Sequence, residues 1–280
     1  MVRRQKDQLE VRSMESVNAE VTGSGTLSRG MAIMNFMLRA RQPMTLAEIA
    51  DAANLDQSTT LRLLRNLEEL RKIIRIGQNK KYMCSPKALS PLPLLHPIEQ
   101  LRRESAPMIF EFSAQVKITV LFVIYLGTEI LAVQVATSPG TLNPYYNAWL
   151  DAPLHASGSG KALLMSLPPA ARQDLLGSGP YRAYTEKTLT NLDMLNADLT
   201  AAEARGYALV YDEFCLGLSA MSRNIRSSNG HVTSCIVLTG HTRDFTPEWV
   251  ESTSAKLINL TRLLPMQVTS LSMIDTLCGQ

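Results

Sequence analysis

The chain has 280 residues, more than one hydrophobic core usually organises, so about two domains are expected. Hydrophobic residues make up 45% of it and charged residues 19%, and these proportions exclude a disordered or fibrous chain. The longest apolar run, residues 120–126, is far shorter than the roughly 20 residues that a membrane-spanning helix needs, and the charged N-terminus is unlike a signal peptide. Four widely spaced cysteines without a C-x-x-C pair indicate neither a disulfide framework nor a zinc ribbon, and they favour the reducing cytoplasm.

The net charge of +3 is unevenly distributed along the chain. Residues 1–85 contain 14 Lys and Arg against 9 Asp and Glu, whereas residues 86–280 contain 14 against 16. The first part therefore carries a net charge of +5 and the remainder −2. A basic excess confined to one segment indicates an anionic partner for that segment.

The N-terminal part combines a disordered arm with three predicted helices. Residues 1–25 are polar, lack a helical or strand period and are expected to form the arm. Apolar residues at helical spacing predict the helices, and Thr45 with Glu48 forms a capping-box pattern at the start of the second one. The three helices are expected over about residues 28–40, 45–53 and 57–70.

Two short extended segments follow the third helix. They are residues 73–76 and 81–84, and the Gly and Asn between them at residues 77–80 suit a hairpin turn. Three helices followed by a basic hairpin predict a winged helix-turn-helix domain over residues 26–85.

The third predicted helix has an apolar underside and an exposed polar face. Such a helix can enter a major groove about 12 Å wide, where Arg62 and Arg65 could reach guanine edges or phosphates and Leu61 a thymine methyl group. The alternative for this helix alone is a surface helix with solvated arginines, but the basic hairpin that follows favours DNA binding. The residues expected to contact DNA are Gln57, Ser58, Thr59, Leu61, Arg62, Arg65, Arg75, Lys80 and Lys81.

The rest of the chain alternates predicted strands and helices. Four prolines from residue 86 to residue 97 mark a linker, and a long helix over residues 98–116 follows them. The pattern predicts an α/β domain with a mainly antiparallel sheet. We expect a linker helix region at 86–104, the second domain at 105–270 and a C-terminal tail at 271–280. Strands are expected near residues 118–125, 130–136, 208–211, 221–225 and 232–239, and helices at 158–167, 192–205 and 246–264.

Several motifs resemble the IclR-type transcriptional regulators. Residues 27–33 (LSRGMAI) are similar to the L-S-R-G-L-A-I-L opening of that family, and residues 46–64 are similar to its L-A-E-I-A and S-T-x-x-R-L-L helix-turn-helix core. Further similarities lie at residues 154–164 (LHASGSGKALL), 205–208 (RGYA) and 212–218 (DEFCLGL). The resemblance runs in the same order over about residues 25–265.

This resemblance implies an α+β architecture with three parts. They are a winged helix-turn-helix on operator DNA, a linker helix that pairs protomers, and a GAF-like effector-binding domain for a small organic acid. The resemblance further implies a homodimer or tetramer that represses or activates a catabolic operon. Neither a cofactor, a metal nor a membrane partner is expected.

By the same resemblance, the effector pocket lies where the loop after His155 meets two strands. The N–H groups that open the helix at Gly158 would favour an anion there. Family members often carry polar residues at positions where this chain has apolar or altered side chains, so a larger and more apolar acid is favoured, and we expect an aromatic carboxylate. The residues expected to line the pocket are Tyr145, Trp149, Leu154, Ser157, Gly158, Ser159, Val210, Leu218, Ala220, Val237 and Thr239.

The aromatic residues near this pocket have an alternative interpretation. Tyr145 and Trp149 add aromatic area close to the pocket in sequence, but they could equally be ordinary core or oligomer-interface residues. The identity of the acid is therefore left open at this point.

The residue spacing of known enzyme motifs is not found in this sequence. A phosphate loop at residues 158–161 would need glycine at His155 and Ser or Thr at Ala162, and a hydrolase elbow would need glycines at Ser157 and Lys161. The four histidines show no metal-ligand spacing, and no catalytic residue is predicted. One alternative to a regulator is a sensing protein whose helix-turn-helix binds another protein, and a second is an enzyme in the C-terminal domain.

Overall fold

The structure, a computed structural model, divides into two compact units, Met1–Pro91 and Leu92–Gln280. It describes residues 25–40, 42–76, 81–85, 88, 96–127, 129–141, 150, 152–227 and 230–278. The predicted arm up to residue 24, the hairpin residue Lys80 and the pocket residues Tyr145 and Trp149 lie outside that set. Among the described residues, no helix is long and apolar enough to cross a membrane.

The first unit contains three helices and a two-stranded antiparallel hairpin. Thr45 and Glu48 form the predicted capping box, in which the Thr45 side chain accepts from the Glu48 N–H group and the Glu48 carboxylate accepts from the Thr45 N–H group. Ile33, Ile49 and Leu64 lie in the core, which the hairpin covers. The elements are α1 (Thr26–Arg39), α2 (Leu46–Ala52), α3 (Gln57–Glu69), β1 (Ile73–Ile76) and β2 (Lys81–Cys84). The helix-turn-helix and the wing are therefore confirmed.

The second unit is a five-stranded antiparallel sheet with helices on both faces. The strands lie in the order β4-β3-β7-β6-β5. The elements are α4 (Pro97–Val116), β3 (Thr119–Leu126), β4 (Glu129–Ala136), α5 (Gly158–Met165), α6 (Pro169–Leu176), α7 (Leu192–Arg205), β5 (Ala208–Tyr211), β6 (Leu218–Arg226), β7 (Val232–His241), α8 (Pro247–Gln267) and α9 (Leu271–Cys278), with a short 3₁₀ helix at Thr242–Asp244.

The two faces of the sheet have separate apolar cores because successive strand residues point to opposite sides. On β3, Phe122 packs in the core under α4, α8 and α9, whereas Leu121 and Val123 pack in the core under α5. This two-sided burial explains why residues 119–126 read as one continuous apolar run.

Two helices differ from the sequence-based expectation. Helix α6 was not predicted, because the one residue fully buried on it is Arg172, so it shows no apolar period. Residues 271–278, expected within a tail, form α9 because Leu271 and Ile274 are buried in the core with α4. Helix α4 begins at Pro97 and crosses the expected boundary at residue 105 as one continuous element.

Candidate DNA-binding and effector sites

Asp56 caps the N-terminus of α3, the predicted recognition helix. Its carboxylate accepts from the Thr59 N–H group at 2.8 Å and from the Ser58 hydroxyl at 2.6 Å. These hydrogen bonds, from Ser58 first and then from Thr59, hold the pKa of Asp56 well below its usual range. Ser58 is therefore engaged within the chain, and the capping residue Asp56 is one that the sequence analysis did not single out.

The exposed face of α3 presents the predicted arginines. Arg62 and Arg65 are exposed, and neither forms an ion pair with another residue that the structure describes. Gln57 and Ser58 are exposed on the same helix, Thr59 and Leu61 are half-buried, and Thr60, Leu63, Leu64 and Leu67 form the buried underside. This arrangement leaves on the surface of a helix-turn-helix two guanidinium groups that no described carboxylate neutralises.

The hairpin residues divide between its two faces. Arg75 is exposed, but it lies 3.2 Å from the Glu68 carboxylate with its guanidinium over the Tyr82 ring, so its charge has a partner within the unit. The face opposite Arg75 carries Lys81, which is half-buried, together with Ile74 and Met83, which are exposed and pair across the strands. The structure therefore places Arg62 and Arg65 on the free surface and gives Arg75 an internal partner.

The N-terminus of α5 packs directly on the sheet at the predicted effector site. The Ser157 side chain caps the helix by accepting from the Gly160 N–H group at 3.1 Å. A Cβ atom built on Gly158 would lie 2.9 Å from Cβ of Ala220 and 3.3 Å from Cγ1 of Val237. The absence of a side chain at Gly158 thus allows this close approach, and it brings three of the predicted pocket residues together.

Other predicted pocket residues extend this wall across the sheet. Val210 pairs with Ala220, and Ala220 pairs with Thr239, so the three stand in one row on the face toward α5. Thr239 is fully buried, and its hydroxyl donates to the Ser219 carbonyl at 3.2 Å. Of the remaining predicted residues, Ser159 is buried and Leu154 and Leu218 are half-buried. The wall is therefore mostly apolar.

A buried lysine joins the pocket helix to two other elements. The ammonium of Lys161, fully buried on α5, lies 2.6 Å from Oε1 of Glu213 and 2.7 Å from Oδ2 of Asp198 on α7. Burial raises the pKa of the Glu213 carboxyl above its ordinary value, although the Lys161 charge opposes the shift. Sequence reasoning missed this cluster; its one signal was a lysine inside the apolar stretch of residues 158–165.

The turn after β5 is held by the carboxylate of Asp212, the residue before Glu213. Asp212, at φ 58°, accepts from Lys187 at 2.7 Å, from the Gly217 N–H group at 2.8 Å and from the Thr242 hydroxyl. Burial opposes ionisation, but these donors outweigh it and lower the pKa of Asp212 below its ordinary value. Asp212 and Glu213 thus have separate partners, and no group of three or more His, Cys, Asp or Glu side chains in the described ranges could hold a metal ion.

Family profiles match both units. The profile described as "IclR helix-turn-helix domain" matches residues 26–73, and the one described as "Bacterial transcriptional regulator IclR C-terminal" matches residues 97–264. The chain belongs to the IclR family. It is a transcriptional regulator that binds DNA through its helix-turn-helix and a small-molecule effector through its C-terminal domain, and it is not an enzyme.

Individual relatives agree with this assignment over most of the chain. The chain is 25% identical to the transcriptional repressor AllR of Klebsiella pneumoniae over 226 residues, covering 81% of this chain and 83% of the relative. It is 25% identical to the transcriptional repressor IclR of Escherichia coli over 245 residues, 83% of this chain and 86% of that one. Among solved structures, the chain is similar to an IclR homologue from Microbacterium hydrocarbonoxydans complexed with 4-hydroxybenzoate. The TM-score is 0.74 at 21% identity, and the match covers 88% of this chain and all of that one, which shows a shared fold.

Proposed function

We propose that this IclR-family regulator controls a catabolic operon in the cytoplasm and responds to a small aromatic carboxylate. The observation that carries the effector class is the row of Val210, Ala220 and Thr239 beside Val237, with the start of α5 packed against it. An apolar wall suits a ring, and a helix N-terminus suits a carboxylate. We also propose that the residues predicted from the sequence form the effector site and the DNA-contacting surface. Arg75 is the exception, because its ion pair with Glu68 assigns it to holding the hairpin.

A fold relative supports the aromatic acid. The Microbacterium structure that shares this fold was solved with 4-hydroxybenzoate, a ring that carries one carboxylate. The apolar side chains at Val210, Ala220 and Val237 offer no charged partner for a second carboxylate. A monocarboxylate with a ring is therefore favoured over a short dicarboxylate.

A ligand screen by thermal shift tests the effector class. Benzoate and 4-hydroxybenzoate are compared with pyruvate, succinate and cyclohexanol, because a ligand that binds the folded protein raises the melting midpoint. We expect the two aromatic acids to raise it and the alcohol to leave it unchanged. A shift with pyruvate or succinate alone would contradict the aromatic assignment while leaving the regulator assignment untouched.

Helix α1 supports a homodimer or tetramer. Leu27, Met31 and Leu38 are 80%, 53% and 41% exposed, and the first two are one helical turn apart. Exposed apolar side chains repeated along one helix are typical of a helix that pairs with a second copy. Light scattering should give a mass of two or four chains, and Leu27→Glu with Met31→Glu should reduce it. An unchanged mass in the double variant would show that this surface is not the interface.

A further inference from the structure

The outer edge of β6 is paired along only part of its length. Strand β5 pairs with β6 from Ser219 to Ser222, whereas β6 continues to Arg226. On the inner side, residues 223–226 remain paired with β7. On the outer side they have no strand partner in the described part of the chain, so the backbone groups of this stretch, the β6 free edge, are not paired in the sheet there.

A cleft of about 1390 Å³ runs along the β6 free edge. Helices α6, α7 and α8 and the junction of α8 with α9 contribute lining residues. Met266 on α8 is 76% exposed at its margin. Arg223, Asn224 and Arg226 of the β6 free edge are among its lining residues, so the cleft adjoins the unpaired stretch of the strand.

The cleft carries positive charge. Arg223, Arg226 and Arg262 line it, and none of them forms an ion pair with any residue the structure describes. Glu203 is the acidic residue of the lining, and it is already bound to Arg172. Burial lowers the pKa of Arg223, and the neighbouring charge of Arg226 adds to that effect. A carboxylate from outside would neutralise this charge.

Two buried polar atoms at the β6 free edge lack hydrogen-bond partners among the residues described. Nδ2 of Asn224 donates to the Ala162 carbonyl at 2.7 Å, which leaves Oδ1 as an acceptor. That oxygen and Oγ of Ser227 are both buried, and neither has a hydrogen-bond partner among the residues described. Buried polar atoms are rarely left unsatisfied, so both point to a hydrogen-bonding occupant of the cleft.

The positions of the arginines distinguish a second copy of this chain from an acidic strand as the occupant of the cleft. Arg223 binds Thr261 on the α8 side, and Asn224 binds α5 on the opposite side, so by strand alternation Arg223 and Arg226 flank the edge on both faces. A second copy added edge to edge would place arginine against arginine, which is unfavourable. A strand with acidic side chains on both of its faces would complement the edge.

We propose that the β6 free edge binds an extended acidic segment of a partner protein by strand addition. The backbone groups of residues 223–226 supply the hydrogen bonds, and the arginines select carboxylates on the added strand. The proposal concerns the second unit alone and does not depend on which effector the protein senses.

Fluorescence anisotropy tests the proposal by measuring how a labelled octapeptide of six glutamates and two valines binds to the full-length protein. We expect saturable binding, weakened about five-fold when Arg226→Ala and Arg262→Ala, both exposed positions, are combined. The control Arg243→Ala removes one arginine from the 3₁₀ helix, outside the cleft, and should leave binding unchanged. Equal loss in the control, or no loss in the double variant, would overturn the proposal.

Two modified peptides separate strand addition from simple charge attraction. Replacing the glutamates by glutamines should abolish binding. Methylating alternate backbone nitrogens removes N–H donors but keeps the charge, and it should weaken binding at least as much as the Arg226→Ala/Arg262→Ala substitutions do. Undiminished binding of the methylated peptide would overturn strand addition. A change in the light-scattering mass of the Arg226→Ala/Arg262→Ala protein would show that a second copy occupies the edge instead.

Discussion

The ammonium of Lys161 lies 2.6 Å from the carboxylate of Glu213, and both side chains are enclosed by protein. The two residues come from α5, which forms one wall of the proposed effector pocket, and from the turn after β5. A buried ion pair is costly to break, because the remaining charge is left without a partner. This contact therefore fixes the pocket helix against the turn.

Removal of one member of this pair should destabilise the protein more than removal of both. We expect Lys161→Met to lower the free energy of unfolding by about 3–5 kcal/mol and the combination with Glu213→Leu to recover most of that loss. Urea unfolding followed by circular dichroism measures both. Lys187→Met is the matched control, because Lys187 is 52% exposed and its ion pair with Asp212 should contribute less than about 1 kcal/mol. Equal losses for Lys161 and Lys187 would contradict the expected role of burial.

The Asp212 carboxylate should make stability depend on pH. Its pKa in the folded protein lies below its ordinary value of 3.8, so its contribution is fully present above 3.8 and is lost as pH falls through the folded value. Asp212→Asn keeps a residue type that tolerates the positive φ, and it should cost about 1–3 kcal/mol at neutral pH. Urea titrations at several pH values should show this difference constant down to about pH 5 and shrinking below 3.8. A difference that grows on acidification would refute the assignment.

The close approach at Gly158 predicts a steric effect that can be reversed. Gly158→Ala places a methyl group 2.9 Å from Cβ of Ala220, so α5 must move away from β6, at a cost of about 1–3 kcal/mol. Adding Ala220→Gly removes the opposing atom and should recover part of the stability in a double-mutant cycle. The proposed effector should bind the single variant more weakly than the double variant.

A second glycine supplies the control for this substitution. A Cβ atom on Gly30, inside α1, would meet nothing within 4 Å. Gly30→Ala should therefore stabilise the protein by up to about 1 kcal/mol, since alanine favours a helix over glycine. If both alanine variants stabilised the protein equally, the contact at Ala220 would not be limiting.

The first unit was largely predictable because its signals are local. The capping box at Thr45 and Glu48 and the buried stripe of α3 both lie within a few residues of the structure they specify. The strands and helices of the second unit were also foreseen, apart from α6 and α9. The structural class thus followed from local periodicity and from the resemblance.

The ion cluster of the second unit could not be predicted because its partners are distant in sequence. Lys161 lies 37 residues before Asp198 and 52 before Glu213, and no pattern in one sequence pairs them. The contact of Gly158 with Ala220 likewise depends on how α5 packs on β6. The resemblance named Gly158 and Ala220 as pocket residues, but their contact required the fold.

DNA binding by the α3 face is the central claim, and a salt titration tests it most directly. The affinity of the full-length protein for duplex DNA from its own upstream region is measured against salt concentration for the wild type, for Arg62→Ala/Arg65→Ala and for Arg75→Ala. We predict that the double variant binds more weakly, with a salt slope reduced by about 0.9 per lost phosphate contact, while Arg75→Ala, whose arginine already binds Glu68, stays close to the wild type. An unchanged affinity and slope in the double variant would contradict the account.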